Sequence, residues 1–198
     1  MKSLDKPQLV IASHNQGKIT EFHEVLGEHW QITRQADLGV SEVAETGLTF
    51  IENALIKARH ACTATSCAAL ADDSGLVVPV LGGDPGLRSS RYSGEGDLRN
   101  NALLLENMAQ YSSDQRAGFY IAVVVFLRHA DDPTPIIAEG RWYGRIAEAP
   151  RGQGGFGYDP IFIPEGSQRH AAELAAEEKN RVSHRAKAVH SLIKQLQI

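Results

Sequence analysis

Two adjacent carboxylates, Asp72 and Asp73, stand in the stretch Ala71-Asp72-Asp73-Ser74-Gly75-Leu76. Neighbouring acids repel and raise each other's pKa unless a cation neutralises them. Hard cations such as Mg²⁺ accept one or two carboxylate oxygens and complete their shell with water and substrate phosphates. A metal-assisted reaction at phosphate is one chemistry this pair could serve. A solvated turn is the other reading, because Asp, Ser and Gly are ordinary turn formers. Three further groups have matching chemistry. Ser13, Asn15 and Lys18, in Ser13-His14-Asn15-Gln16-Gly17-Lys18, offer hydroxyl, amide and ammonium donors to phosphate oxygens. Phe156 and Tyr158 lie beside Asp159 in a glycine-rich loop, and aromatic side chains on a loop suit stacking on a base. Lys179, His184 and Arg185 supply polar groups near a helix start. For each group a solvated loop, a core-facing aromatic pair or a solvated helix face is the plain alternative.

These residues need elements to carry them. Gln8 to Ala12 reads as a buried strand, followed by the polar loop and by helical spacing over Lys18 to Leu26, with Ile19, Phe22, Val25 and Leu26 on one side. A strand, a glycine-containing loop and a helix present helix N–H groups to an anion. Trp30 to Thr33 reads as a short strand. Thr49-x-x-Glu52 is a capping-box pattern, and the helix it opens runs to about Thr65. Asn53 and Lys57 share one face of it, and Leu48, Ile51, Leu55 and Ala58 form its apolar side. The apolar runs Ala68 to Ala71 and Leu76 to Leu81 read as two segments joined by a Ser-Gly turn at the acids. Asp97 to Met108 reads as helix, and Phe119 to Leu127 as a strong strand with Ile136 to Ile146 returning against it. Ile161 to Ile163 follows the glycine-rich loop, and helix resumes from about Ala171 with a break near Asn180 to Ser183. Long strands mixed with helices predict an α/β protein with a mixed sheet.

Several motifs fail. Gly17-Lys18 invites a P-loop, but Ala12 stands where Gly is needed and Ile19 where Ser or Thr is needed. Gly152 to Gly157 spells G-x-G-x-x-G, yet Ala149-Pro150 precedes it and Asp159-Pro160 follows, so it neither leaves a strand nor opens a helix. There is no G-x-S-x-G elbow. The 198 residues suggest a single domain spanning 1–198. A net charge of −4 gives no footprint for nucleic acid. No signal-like segment or membrane-length apolar run is present, and Cys62 and Cys67 fit no disulfide or zinc pattern, so a cytoplasmic protein with reduced thiols is expected.

Taken in order, these segments resemble the inosine triphosphate pyrophosphatase family, and most closely its bacterial dITP/XTP pyrophosphatase branch. The resemblance is carried by Ser13-x-Asn15-x-x-Lys18, by Glu45-Thr46-Gly47 with Phe50-x-Glu52-Asn53-Ala54-x-x-Lys57-Ala58, and by Ala71 to Leu76. It continues through Leu81-Gly82-Gly83-x-Pro85-Gly86 with Ser89-x-Arg91-Tyr92, through Gly154 to Pro160, and through Glu178-Lys179 with Ser183-His184-Arg185. Ser13 stands where Thr is frequent and keeps the hydroxyl; Arg88 stands where an aromatic is usual.

The resemblance implies an elongated, two-lobed α/β fold around a twisted mixed sheet with flanking helices, a central active-site cleft and a homodimer. It implies Mg²⁺-dependent hydrolysis of ITP, dITP and XTP to monophosphate and pyrophosphate, which cleanses the nucleotide pool. Asp73 is then the catalytic residue that takes the proton of the attacking water, and Glu45 and Asp73 are the metal ligands. Substrate is expected at Ser13, His14, Asn15, Gln16, Gly17, Lys18, Lys57 and Ser74 on the phosphate side. On the base side it is expected at Phe156, Gly157, Tyr158, Asp159, Lys179, His184 and Arg185. Asp72 is expected to tune the pair or to bind a water beyond the metal's own ligands. A non-catalytic purine nucleotide-binding module, or a nucleoside triphosphatase that cleaves at the γ end, is the competing reading.

Overall fold

The computed structural model describes all residues except 1–5, 14–18, 20, 21 and 25. The chain is a mixed α/β structure on a six-stranded sheet in the order β2-β1-β3-β4-β5-β6. The strands are β1 (Gln8–Ile11), β2 (Gln31–Arg34), β3 (Ala68–Val77), β4 (Ala117–Leu127), β5 (Ile136–Ile146) and β6 (Phe162–Pro164). The helices whose residues are described throughout are α1 (Phe50–Thr65), α2 (Asp97–Met108), α3 (Ala176–Val182) and α4 (His184–Leu196). β1 runs parallel to both β2 and β3, whereas β5 and β6 are antiparallel, so the sheet is mixed, as the long strands interspersed with helices predict. No helix among the described residues is long and apolar enough to cross a membrane.

The chain forms two compact units. The first comprises Met1–Asp73, Val123–Ala138 and Val189–Ile198. Its core holds Leu9, Val10, Ile11, Leu70 and the run Val123 to Leu127, all shielded from water. β1 and β3 lie in the register Leu9↔Ala68, Val10↔Ala69 and Ile11↔Leu70, extended by the Ala12 N–H donating to Leu70 O at 2.8 Å. The helical stretch expected after β1 is seen at 22–24, with Ile19, Phe22 and Leu26 buried; Val25 lies outside the described residues. α1 begins where the capping pattern places it. Thr49 accepts the Glu52 N–H at 3.2 Å, and the Glu52 carboxylate accepts the Leu48 N–H at 2.7 Å.

The apolar side of α1 differs from expectation. It buries Ala54, Ala58, Ala61 and Cys62, while Leu48 and Ile51 stay exposed. Small side chains let a helix axis lie close to its support, and larger ones on the flank are left in solvent. Burial also pushes the Cys62 thiol up to about 11, and both cysteines are free.

The second unit comprises Ser74–Ala122 and Glu139–Ala188. Its core gathers Leu76, Leu104, Met108, Tyr120, Trp142, Ile146, Ile161 and Phe162. Tyr120 packs edge-on to Phe162 at 4.9 Å and stacks on His184 at 4.8 Å. Gly140 of β5 allows the first turn of α4 to come close: a Cβ there would lie 2.1 Å from His184 O and 2.5 Å from Ala188 N. Any other residue would push this helix start off the strand.

β3 corrects the expectation at the acids. Asp72, Asp73, Ser74 and Gly75 form no turn; they continue one ten-residue strand from Ala68 to Val77. The two apolar runs are its two ends. Neighbouring side chains on a strand point to opposite faces, so Asp72 and Asp73 do not form a two-carboxylate site. Asp72 is buried and Asp73 half-buried.

Candidate active site

In the first unit, α1 and the loop before it bring groups to Asp73. Lys57 Nζ lies 2.7 Å from Glu45 Oε1 and 3.7 Å from Asp73 Oδ1. The two carboxylates expected to hold a metal therefore converge on one cation, the Lys57 ammonium. Burial opposes the charge on Lys57, but Asp73, Asp72 and Glu45 outweigh it and hold the ammonium above its ordinary value. Asn53, one turn earlier on the same face, donates to Asp73 Oδ2 at 3.2 Å and accepts the Gly47 N–H at 2.8 Å. One buried amide thus ties the Glu45 loop to Asp73. Its spacing from Lys57 is legible in the sequence; its bridging role needs the loop, which the sequence does not place.

Ser13 follows β1 and is half-buried. His14, Asn15, Gln16, Gly17 and Lys18 lie outside the described residues. Among the described residues no group of three or more His, Cys, Asp or Glu side chains is arranged to hold a metal ion. The set at hand is a carboxylate pair with a neighbouring ammonium. Such oxygens suit a hard divalent cation that takes its remaining ligands from water and phosphate.

The second unit contains the aromatic set. Ser74 is half-buried on β3. Phe156 is 50% exposed, so half of its surface is open to a ligand. Lys179 Nζ lies 4.4 Å and the Arg185 guanidinium 5.5 Å from the Phe156 ring centroid. Both contacts are within cation–π range. Lys179 also pairs with the buried Asp159, whose Oδ2 accepts the Phe156 N–H at 2.9 Å. Gly155 is required here: its φ is +75°, and a Cβ would lie 2.0 Å from Asp159 Oδ2. Lys179 comes from the last turn of α3, and His184 and Arg185 from the first turn of α4. The chain breaks at Ser183, whose hydroxyl accepts the Ala186 N–H at 3.2 Å.

Phe156, Asp159, Lys179 and Arg185 are thus in direct contact. His184 is buried under Tyr120, and Tyr158 faces inward with its hydroxyl donating to Ser89 O at 2.8 Å. Burial raises the pKa of both tyrosines well above the ordinary value, so they remain neutral donors. Tyr158 is a support, not an exposed stacking surface. Gly157 is held by two side chains of α2, Asp97 and Asn101, which sequence reasoning did not single out.

The first unit's carboxylate–ammonium cluster is of the kind that suits a phosphate, and the second unit's aromatic ring flanked by cations is of the kind that suits a flat base; mixed α/β proteins carrying such groups are the class they define. The chain belongs to the Ham1 family, whose model matches residues 9–195. It is 54% identical over 188 residues to a dITP/XTP pyrophosphatase of Xylella fastidiosa, covering 93% of this chain and 94% of that one. Identity to the Escherichia coli dITP/XTP pyrophosphatase is 50% over 189 residues, covering 94% and 96%. A solved HAM1 protein structure from Coxiella burnetii superposes with a TM-score of 0.92 at 42% identity, covering 96% of this chain and 98% of that one.

Proposed function

We propose that this protein hydrolyses non-standard purine nucleoside triphosphates, ITP, dITP and XTP, to the monophosphate and pyrophosphate. The observation that carries this reading is the convergence of Glu45, Lys57 and Asp73 on one point, with relatives of the same family named for the same reaction. Glu45 and Asp73 would hold Mg²⁺, which when bound supplies charge stabilisation on phosphate oxygens. Lys57, whose ammonium its acidic neighbours hold above its ordinary value, would donate to a phosphate oxygen beside those carboxylates. Ser13, Ser74 and the polar residues 14–18 would add donors for the triphosphate. Asp73 accepts the proton of a water whose oxygen bonds to the α-phosphorus. The bond from that phosphorus to the α–β bridging oxygen breaks, and pyrophosphate leaves with the electron pair.

Phe156 stacks on the base while Arg185 and Lys179, both against its ring, meet the polar edge, and His184 supports them from beneath. Guanidinium has donors and no acceptor, which suits the 6-oxo group of hypoxanthine or xanthine and opposes the 6-amino group of adenine. A site built on such a bond can reject a mismatch by roughly 10⁴-fold. Initial rates with ITP, XTP and ATP in Mg²⁺ test this. ITP and XTP are to turn over and ATP to lag far behind, with activity lost on chelation and restored by Mg²⁺. Tight ITP binding without turnover would instead make the protein a nucleotide-binding module.

On the resemblance alone the active species is a homodimer. Light scattering at micromolar concentration reads this directly, and a monomer mass would overturn it.

A further inference from the structure

The glycine-rich loop that carries Phe156 has little reason of its own to hold one shape, because each glycine adds backbone freedom. Gly157, the next residue, has a φ of +61°. Both of its backbone polar groups are taken by side chains of α2. Its N–H donates to Asp97 Oδ2 at 2.7 Å, and its carbonyl accepts from Asn101 Nδ2 at 2.8 Å. The two residues are spaced i, i+4 and so share a helix face. Asn101 also donates to the Asp97 carbonyl at 2.7 Å, locking its own amide in place. The neighbouring Asn100 accepts the Ser93 N–H at 2.7 Å and donates to Ser89 O at 3.4 Å. Tyr158 donates to that same Ser89 carbonyl. The first turns of α2 therefore organise the backbone on the C-terminal side of Phe156, while Asp159 holds its N–H.

Asp97 is exposed, and its side-chain bond to Gly157 reaches 60 residues along the chain. An exposed carboxylate contributes little to a core; here it fixes one loop peptide. We propose that Asp97 and Asn101 are positioning residues that pre-set Phe156 for stacking on the purine. The inference rests on the reading that Phe156 meets the base. A ring held in place before the ligand arrives loses less freedom on binding, and that saving is read as affinity.

The test compares wild type, Asp97→Ala, Asp97→Asn, Phe156→Ala and the Asp97→Ala/Phe156→Ala double variant. KM and kcat are measured on ITP, and binding is measured for inorganic triphosphate with Mg²⁺, which has no base. Asp97→Ala is to raise KM for ITP by about two- to tenfold, the range of one net hydrogen bond, with kcat little changed. Binding of inorganic triphosphate is to stay as in wild type. Asp97→Asn keeps an acceptor oxygen for the Gly157 N–H and is to recover most of the loss. Phe156→Ala alone is to cost about 5- to 150-fold, the value of stacking on one base. Adding Asp97→Ala to it is then to change KM by less than about twofold, because residues acting through one another are not additive. Additive effects, equal weakening of inorganic triphosphate, or an unchanged KM in Asp97→Ala would overturn the proposal. Failure of the functional reading shows differently, as a wild-type protein that does not turn over ITP at all, and the proposal then falls with it.

Discussion

Asp73 answers to two neighbours with different demands. Lys57 lies beside its charge and Asn53 fixes its orientation, so the carboxylate is both paired and aimed. Asp73→Asn keeps the shape and the Asn53 contact within reach but cannot take a proton. It is expected to lower kcat on ITP by about 10²- to 10⁴-fold while ITP still binds, as measured by steady-state rates and by titration calorimetry. Retention of more than roughly a tenth of the rate would remove Asp73 as the base. At this scale much of the site is legible in the sequence alone. Glu45, Lys57, Phe156, Asp159, Lys179 and Arg185 are chemically distinctive and fall in ordered motifs. Asn53 falls in the same motif as Lys57, but neither its bridge to the Glu45 loop nor the hold of Asp97 and Asn101 on Gly157 is legible, because a helix-borne amide or a first-turn acid has the same local pattern whether it faces water or grips a distant loop.

Elements show the opposite balance. The capped helix α1 and strands β4 and β5 follow from local signals, since a capping box and runs of Val and Ile carry their own preference. The Ser-Gly pair in β3 carries a turn preference that loses to the sheet, in which β3 lies between β1 and β4 and runs on to Val77. The loop from β4 to β5 shows how one residue can hold such a pair of strands. The buried Asp132 accepts the Arg128 N–H at 3.0 Å, Arg128 Nε at 2.8 Å and the Thr134 N–H at 3.0 Å. The Arg128 guanidinium beside it holds the carboxyl well below its usual range. Asp132→Asn faces those donors with an amide, and is expected to cost about 1–3 kcal/mol in urea unfolding at neutral pH. The sign with pH follows from the lowered folded value. The contribution is present above the unfolded pKa of 3.8 and is lost as pH falls through the lower folded one. The gap between wild type and Asp132→Asn should therefore close on acidification below 3.8, and a gap independent of pH would contradict the assignment.

At the scale of the whole molecule, one sheet runs through residues of both units. β3 passes from Asp73, the last residue of one stretch, to Ser74, the first of the next, and β4 and β5 cross likewise. A strand is a stiff carrier, so Asp73 and the adjacent Ser74 hydroxyl are fixed on one element, where functional groups are held more closely than on loops. The mixed sheet is legible from strand lengths and their alternation with helices. The parallel placement of β1 beside β3 is not, because it depends on pairing across 59 residues that no local pattern encodes. The chain-wide claim is a reaction: attack at the α-phosphorus and release of pyrophosphate. The measurement that tests it most directly is identification of the products formed from ITP and Mg²⁺, by ion-exchange separation with an enzymatic assay for pyrophosphate. IMP and pyrophosphate in equal amounts are predicted, whereas IDP and inorganic phosphate as the first products would contradict the account.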